Sequence, residues 1–360
     1  MDTFADYTRR QALVTSSGNR LKHVRDLEVP DLSPGALLCR VSSVGLNPGD
    51  VKSSEYAAST GSIGGFDFAG EVMRTGSAVK RFQAGDRVAG FAYGYNPDDT
   101  SSGAFTDIIL TTEKFVFKLP RGWTFEQGST LGTVMYTVGY ALSHYLNIPL
   151  SDEAPEANEN RVGEYILVSG GATATGMMAV QLLRLAGFQP VATCSPASAD
   201  AVLSLGAAST FDYESPTCGA NIRSFTGDTV TRVLDCVTSA TTMSMCYAAV
   251  STRGGRYVGL DPISPHVKYT RRDVSADWVM ALALFGQPVR LAGVYGRSAR
   301  PELPELGQRI SSMTETLIAE GKLRGPPFQA RAGGLTAVME GIEDLRRGGT
   351  VRGKLVYTLQ

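Results

Sequence analysis

The sequence predicts an α/β chain of two domains, one with a doubly wound parallel sheet and one with a small antiparallel β-barrel. Residues 165–193 read as strand, tight turn, helix and strand, which is the order of a βαβ unit. Residues 1–125 read as short strands between glycine-rich turns, a pattern that suits a small antiparallel barrel. The length of 360 residues allows each domain its own hydrophobic core.

Composition excludes several classes of protein. A hydrophobic content of 43% and a charged content of 19% are typical of globular chains. The net charge of −1 offers no general attraction to nucleic acid or to an anionic membrane. No apolar run approaches the roughly 20 residues of a membrane span, and the first residues, MDTFADYTRRQ, lack the apolar stretch of a signal peptide. We therefore expect a soluble, cytoplasmic protein without a nucleic-acid or membrane partner.

The thiols and imidazoles form no recognisable catalytic or metal motif. Five cysteines are scattered without a CxxC pair, and the three histidines lie far apart without an HExxH pattern. The GxSxG pattern of many serine hydrolases is also absent. We expect most of these cysteines to be buried, small apolar residues.

The turn inside the βαβ unit predicts a dinucleotide site. The apolar run Tyr165–Val168 breaks at Ser169-Gly170-Gly171, and apolar residues then recur at helical spacing up to a glycine, Gly187, that suits a helix C-cap. The helix N-terminus would present unpaired N–H groups to a pyrophosphate, with threonine hydroxyls as further donors. Ala and Thr replace most of the usual glycines between Gly171 and Gly176, so a crossover without a ligand stays open as the alternative.

The end of the second strand favours NADPH over NADH. An NAD site has an acidic residue there for the ribose 2′-hydroxyl, whereas this chain has Cys194-Ser195-Pro196-Ala197-Ser198. Serine hydroxyls and backbone amides can donate hydrogen bonds to a 2′-phosphate, whereas a carboxylate would repel it. The first acid, Asp200, is expected to be a solvated helix residue.

Further elements follow the same periodicities. Residues 126–146 are predicted to be helical and 147–164 to be an acidic surface loop, and two more strands, at 231–237 and 255–260, flank an alanine-rich helix. The apolar run 277–286 has two equal interpretations, a core helix or a hydrophobic wall for an acyl chain. Pro288 would break an edge strand after it, which favours a monomer.

Three long segments resemble the medium-chain dehydrogenase/reductase superfamily, specifically its quinone-reductase-like branch. They are GFDFAGEVMRTGSAVKRFQAGDRVAGF, GAFTDIILTTEKFVFKLPRGWTFEQGSTL and the C-terminal GGTVRGKLVYTL. The resemblance implies a GroES-like catalytic domain formed by residues 1–125 and 265–360. It also implies a Rossmann NADPH-binding domain formed by residues 126–264.

The chain departs from the zinc-dependent members of that superfamily. Those relatives carry Cys near the position of Asn47, His-Glu at Phe66-Asp67, and structural cysteines in the lobe that here reads YGYNPDDTSSG. Asn and Phe do not complete a tetrahedral zinc set. We expect no metal, and we expect Asp67 to be a hydrogen-bonded turn carboxylate.

A narrower resemblance, carried by GGATATGMMAVQLLRLAGFQPVATCSP and DWVMALALFGQ, is to stand-alone trans-acting enoyl reductases of fungal polyketide (PKS or PKS-NRPS) biosynthesis. It implies NADPH hydride transfer to the β-carbon of an α,β-unsaturated thioester on the acyl carrier protein of a polyketide synthase. A free-standing NADPH-dependent quinone or alkenal reductase, and a non-catalytic NADPH-binding protein, stay open as alternatives.

The same resemblance assigns site residues. Lys52 matches the family position that reaches the nicotinamide ribose and is the candidate catalytic residue. The implied cofactor-binding residues are Gly49, Asp50, Val51, Lys52, Thr137, Thr173, Ala174, Thr175, Gly176, Ser195, Pro196, Ser198, Tyr213, Leu260, Asp261, Val351 and Arg352. The implied substrate-binding residues are Val138, Gly139, Tyr140, Ala141, Leu142, Leu282, Ala283, Leu284, Phe285 and Gly286.

Overall fold

The computed structural model describes residues 7–18, 20–56, 60–151, 163–348 and 353–359. The strands are β1 (Arg9–Ser16), β2 (Arg20–Glu28), β3 (Ala36–Gly45), β4 (Asp67–Thr75), β5 (Arg87–Phe91), β6 (Ile108–Thr112), β7 (Val116–Lys118), β8 (Tyr165–Ser169), β9 (Gln189–Cys194), β10 (Ser209–Asp212), β11 (Arg232–Asp235), β12 (Gly255–Gly259), β13 (Val274–Trp278), β14 (Phe328–Arg331) and β15 (Lys354–Thr358). The α-helices are α1 (Pro48–Tyr56), α2 (Phe125–Gly128), α3 (Gly132–Tyr140), α4 (Ala174–Leu185), α5 (Ala199–Ser204), α6 (Cys218–Phe225), α7 (Ala240–Ala249), α8 (Pro265–Lys268), α9 (Leu303–Ala319) and α10 (Gly334–Arg346). None of the helices in these ranges is long and apolar enough to cross a bilayer.

Two compact units divide the chain. Unit 1 comprises Met1–Tyr136 and Leu282–Gln360, and unit 2 comprises Thr137–Ala281. Both division points lie later in the chain than the boundaries expected from the sequence. The expected acidic loop lies largely outside the described residues, since residues 152–162 are not among them.

Unit 1 contains the antiparallel sheet that the sequence predicts. Its strands follow the order β14-β15-β3-β4-β5-β7, with β6 paired to β3, while β1 and β2 form a separate hairpin. The pair β14–β15 is parallel, whereas the pairings within β3 to β7 are antiparallel. The core of this unit is formed by inward side chains such as Val41, Phe68 and Phe105, all almost fully buried. Aliphatic side chains from α10 pack against them.

Unit 2 contains a six-stranded parallel sheet in the order β10-β9-β8-β11-β12-β13. The first strand, β8, therefore lies at the centre, β9 and β10 extend to one side, and β11 crosses to the other. This is the strand order of a doubly wound dinucleotide-binding fold, 3-2-1-4-5-6. The mixed α/β fold class predicted from the sequence, with one antiparallel and one parallel sheet, is confirmed.

The apolar run 277–286 does not form a core helix, which was one of its two equal interpretations. Its first residues end β13, the sixth strand of the parallel sheet, and a 3₁₀ turn follows over Ala281–Phe285. A short apolar run does not carry enough periodicity to separate a strand end from a buried helix.

The cysteines behave as small apolar residues. All five are free, and four of them are buried. Burial raises the pKa of the Cys218 thiol to about 11, so that thiol is protonated near neutral pH.

Candidate active site

The carboxyl ends of β8 and β11 mark the point at which the parallel sheet reverses its winding, and ligands of doubly wound sheets bind at this point. The turn after β8 begins with Gly170 at a φ of 77°, in the left-handed region that favours glycine. Two bonds tie the turn to β9: Gly171 N donates to the Thr193 carbonyl (2.8 Å), and Gly170 N donates to Thr193 Oγ1 (3.0 Å).

Helix α4 begins in this turn with Thr173 as its N-cap. The Thr173 hydroxyl accepts from Gly176 N at 3.0 Å and donates to the Gly170 carbonyl at 2.8 Å. It is therefore engaged inside the turn, unlike the free phosphate donor expected from the sequence. Helix geometry leaves the amides of Ala174 and Thr175, the first two helical residues, without intrahelical partners. These amides and the positive end of the helix dipole suit a phosphate group, so this part of the site fits a dinucleotide.

Gly176 makes this close approach of helix and turn possible. A Cβ at this position would lie 2.2 Å from the Gly170 carbonyl oxygen and 2.8 Å from Gly171 Cα. Both neighbours are backbone atoms, which cannot rotate away. We expect Gly176→Ala to displace the turn, to destabilise the protein by about 1–3 kcal/mol, and to weaken dinucleotide binding. Thermal unfolding and fluorescence titration with NADPH measure the two effects.

Gly122→Ala is the matched control for Gly176→Ala, because nothing lies within 4 Å of a Cβ at position 122. We expect this control to bind NADPH as the unmodified protein does. Unchanged stability and binding in Gly176→Ala would contradict the close contact between the start of α4 and the backbone of Gly170 and Gly171.

The end of β9 presents two hydroxyl groups together. Ser195 Oγ and Ser198 Oγ lie 3.2 Å apart across one 3₁₀ turn, Pro196–Ser198. Asp200 is exposed in α5, as expected. Asp212, which no local sequence signal identified, is the last residue of β10. It is in register with Cys194 and so brings a carboxylate to this end of the sheet. Tyr213, beside it, keeps 47% of its surface exposed.

Asp235, at the end of β11, organises the loop that follows. Its buried carboxylate accepts from Val237 N and Thr238 N (both 3.1 Å), Thr242 Oγ1 (2.7 Å) and Tyr257 OH (2.8 Å). The Thr238 hydroxyl then accepts from Leu260 N at 2.7 Å. These bonds hold the backbone of Leu260, the first of the two predicted nicotinamide-side residues, and Asp261 follows it directly. Nothing in the sequence pattern distinguished Asp235 from an ordinary strand residue.

In unit 1, Lys52 lies half-buried in α1. The first turn of this helix contains Asp50, whose side chain forms hydrogen bonds that hold the start of the helix. Asp50 is fully buried, and its carboxyl accepts from Asn47 N at 2.8 Å and from the Tyr95 hydroxyl at 3.3 Å. Burial, as the largest cause, raises the pKa of Asp50 to about 8. The neighbouring Gly49 lies against the Phe66 ring. Val51 packs partly on the hydrophobic core of unit 1.

Asp67 is a hydrogen-bonded carboxylate, as expected, and its partners are protein groups. Asn47 Nδ2 and Thr133 Oγ1 donate to it at 2.9 and 2.6 Å, and the Lys354 ammonium forms a buried ion pair with it. Within the described ranges, no group of three or more His, Cys, Asp or Glu side chains could hold a metal ion.

The predicted substrate-side residues fall into two buried sets. Val138, Tyr140, Ala141 and Leu142 are 0–1% exposed, and Gly139 beside them is also buried. Leu282, Ala283 and Leu284 are buried as well, while Phe285 is half-buried, with its ring centroid 4.1 Å from that of Phe115. Gly286 follows at a φ of 79°.

Three further predicted cofactor-binding residues remain. Thr137 is half-buried, and Val351 and Arg352 lie outside the described residues.

The fold is that of two-domain oxidoreductases with a doubly wound, Rossmann-like parallel sheet, and comparison with known families agrees. The family model of the alcohol dehydrogenase GroES-like domain matches residues 33–121. The model of the zinc-binding dehydrogenase matches residues 174–275. Among solved structures, the chain resembles CurK enoyl reductase, with a TM-score of 0.76, 22% identity, and coverage of 98% of this chain and 100% of that one. It also resembles mycobacterial Rv1454c complexed with NADPH, with a TM-score of 0.71, 20% identity, and coverage of 97% and 99%.

Curated relatives narrow this class. A trans-enoyl reductase of Gibberella fujikuroi is 43% identical, covering 97% of this chain and 99% of the relative. The trans-enoyl reductase grgB of a Penicillium species is 42% identical, covering 98% and 99%. The chain therefore belongs to the trans-enoyl reductase family of the medium-chain dehydrogenase/reductase superfamily, which confirms both resemblances drawn from the sequence.

Proposed function

We propose that this protein is a trans-acting enoyl reductase that uses NADPH to reduce an α,β-unsaturated polyketide thioester carried on an acyl carrier protein. The observation that carries the proposal is the match, over nearly the whole length of both chains, to relatives that are themselves named trans-enoyl reductases. The amide-lined turn at the switch point of the parallel sheet supports the cofactor part of the proposal. The partner would be a polyketide synthase, and the enzyme would act as a monomer.

In the proposed reaction, NADPH supplies a hydride to the β-carbon of the enoyl thioester. The electron pair of the C=C bond then moves toward the thioester carbonyl, and the α-carbon takes up a proton. Charge develops on the carbonyl oxygen, and a positioned donor stabilises it. Lys52, a cation on a helix whose first turn is held by buried hydrogen bonds, is proposed as that donor. The mechanism requires no metal.

The proposal is tested by comparing three substrates with the purified protein and NADPH: an enoyl thioester on an acyl carrier protein, a small alkenal and a quinone. We expect the carrier-bound thioester to have the highest kcat/KM. Faster reduction of the alkenal or the quinone would favour a free-standing reductase of the same superfamily. NADPH binding without oxidation by any of the three would favour a non-catalytic binding protein.

The hydroxyls of Ser195 and Ser198 are proposed to make the protein prefer NADPH to NADH. Replacing both hydroxyls in Ser195→Ala/Ser198→Ala should raise the Kd for NADPH about a hundredfold or more, because hydrogen bonds to charged groups contribute roughly 1.5–3 kcal/mol each and about 1.4 kcal/mol is tenfold in Kd. The Kd for NADH should stay within about twofold of the unmodified value. Fluorescence titration with both nucleotides measures the change.

Ser204→Ala serves as the control for this double variant, because its hydroxyl is exposed on α5 and donates to the Ala201 carbonyl. It should leave both affinities unchanged. Equal affinity of the unmodified protein for NADPH and NADH would refute the assignment of Ser195 and Ser198, and would direct attention to the carboxylate of Asp212.

A further inference from the structure

An ion pair that no local sequence pattern predicts is buried in unit 1. Lys354, the first residue of β15, and Asp67, the first residue of β4, have side chains that are 4% and 0% exposed. The Lys354 ammonium donates to Asp67 Oδ2 and, at 3.2 Å, to the Thr130 carbonyl. Removing two charges from water costs several kcal/mol per ion, so such a pair persists only when further hydrogen bonds complete it.

Asp67 receives those further bonds from two different elements. Its Oδ1 accepts from the hydroxyl and the backbone N–H of Thr133, in the first turn of α3. Its Oδ2 accepts from Asn47 Nδ2 at 2.9 Å. The carboxylate therefore joins a helix N-terminus, where negative charge is favourable, to the residue that precedes α1. The Lys354 ammonium neutralises the negative charge of the Asp67 carboxylate.

The connection continues from Asn47 into the helix that carries Lys52. Asn47 N donates to Asp50 Oδ2 at 2.8 Å, and Asp50 N donates back to the Asn47 carbonyl at 2.9 Å. Leu355, next to Lys354, accepts from Leu46 N at 2.9 Å. Strand β15 thus holds the start of α1 in two ways, through a backbone bond and through the ammonium.

The space around the lysine is filled, so the pair has little freedom to move. A Cβ at Gly45 would lie 3.1 Å from Lys354 Cε and 3.3 Å from Asp67 Cβ, and 2.3 Å from the Ser129 carbonyl oxygen. Glycine at position 45 therefore avoids a clash with the Ser129 carbonyl oxygen and allows the lysine stem to pack closely against the strand.

We propose that Lys354 is a positioning residue for the reduction: its ammonium holds Asp67 and Asn47 so that α1 presents Lys52 in one fixed place. This inference rests on the proposed function, because it takes Lys52 as the group that acts on the substrate. Lys354 itself touches neither substrate nor cofactor in this scheme. Its effect on the rate passes through Lys52.

A double-mutant cycle between Lys354→Met and Lys52→Ala tests this inference. We expect Lys354→Met to lower kcat about tenfold in the unmodified background and less than twofold in the Lys52→Ala background, because residues that act as a unit are not additive. Where Lys354→Met does not fold, Asp67→Asn/Lys354→Met replaces it in the cycle, since that variant leaves no unpaired buried charge. Lys114→Met, which removes a more exposed lysine paired with Glu305, is the control and should leave kcat unchanged.

A second readout needs no turnover. Reductive ¹³C-methylation followed by NMR reports the environment of each lysine, and the Lys52 signal is assigned by its loss in Lys52→Ala. We expect this signal to shift or broaden in Lys354→Met and to stay in place in Lys114→Met. An unmoved Lys52 signal would overturn the inference, as would an equal loss of kcat in both backgrounds. If Lys52→Ala alone left the kinetics unaltered, the proposed function of Lys52 would fall first, so the two failures are distinguishable.

Discussion

Lys52→Ala is expected to lower kcat for enoyl reduction by about 10²–10³, the effect of removing one well-placed donor to a developing oxyanion, or roughly 3–4 kcal/mol. The affinity for NADPH should change far less, because the phosphates are expected to bind at the turn before α4. Steady-state kinetics with a carrier-bound enoyl thioester, combined with NADPH titration, separates the two effects.

Lys22→Ala is the control for Lys52→Ala, because Lys22 is an exposed residue of β2. It should leave kcat and KM unchanged. Kinetics of Lys52→Ala that match those of the unmodified protein would remove Lys52 from the reaction. The enolate would then have to be stabilised by a backbone N–H or by a hydroxyl.

Local patterns were enough to predict the parallel sheet of unit 2. The run Tyr165–Val168, the helical spacing after it and Gly187 are all signals within a few residues of one another, and the structure has β8, α4 and a φ of 84° at Gly187 in those places. Such signals are readable because side-chain periodicity and the freedom of glycine act locally.

Long-range polar contacts were not predictable in the same way. Asp67 and Lys354 are separated by 287 positions, and a lysine at the start of a strand reads as a solvated residue. The hydrogen bonds of Thr173 were not predictable either, although its partners are close in sequence. Its hydroxyl was expected to donate to a phosphate, yet it donates to the Gly170 carbonyl and accepts from Gly176 N inside the turn. In both cases the deciding factor is a partner that becomes visible only in three dimensions.

The burial of Asp50 makes the stability of the protein depend on pH. The pKa of this carboxyl is raised by burial from 3.8 to about 8. The charged groups around it are Asp67, which raises the pKa further, and Lys354, which lowers it; Asn47 and Tyr95 contact it directly. Below about pH 4 both the folded and the unfolded protein hold the proton. Between about pH 4 and pH 8 only the unfolded protein releases it, so Asp50 lowers the free energy of unfolding progressively as the pH rises.

Asp50→Asn should remove this dependence, because an amide mimics the protonated acid: its oxygen can accept from Asn47 N, and its NH₂ can donate to the Tyr95 hydroxyl. We expect the variant to gain stability over the unmodified protein as the pH rises from 5 to 8, on the order of 4 kcal/mol at the upper end. Guanidinium denaturation at both pH values, followed by tryptophan fluorescence, measures the difference. Asp31→Asn, at an exposed position, should follow the unmodified protein. If Asp50→Asn ran parallel to the unmodified protein across this range, Asp50 would be ionised in the folded state. The Lys354 ammonium would then have to compensate two buried carboxylates, those of Asp50 and Asp67.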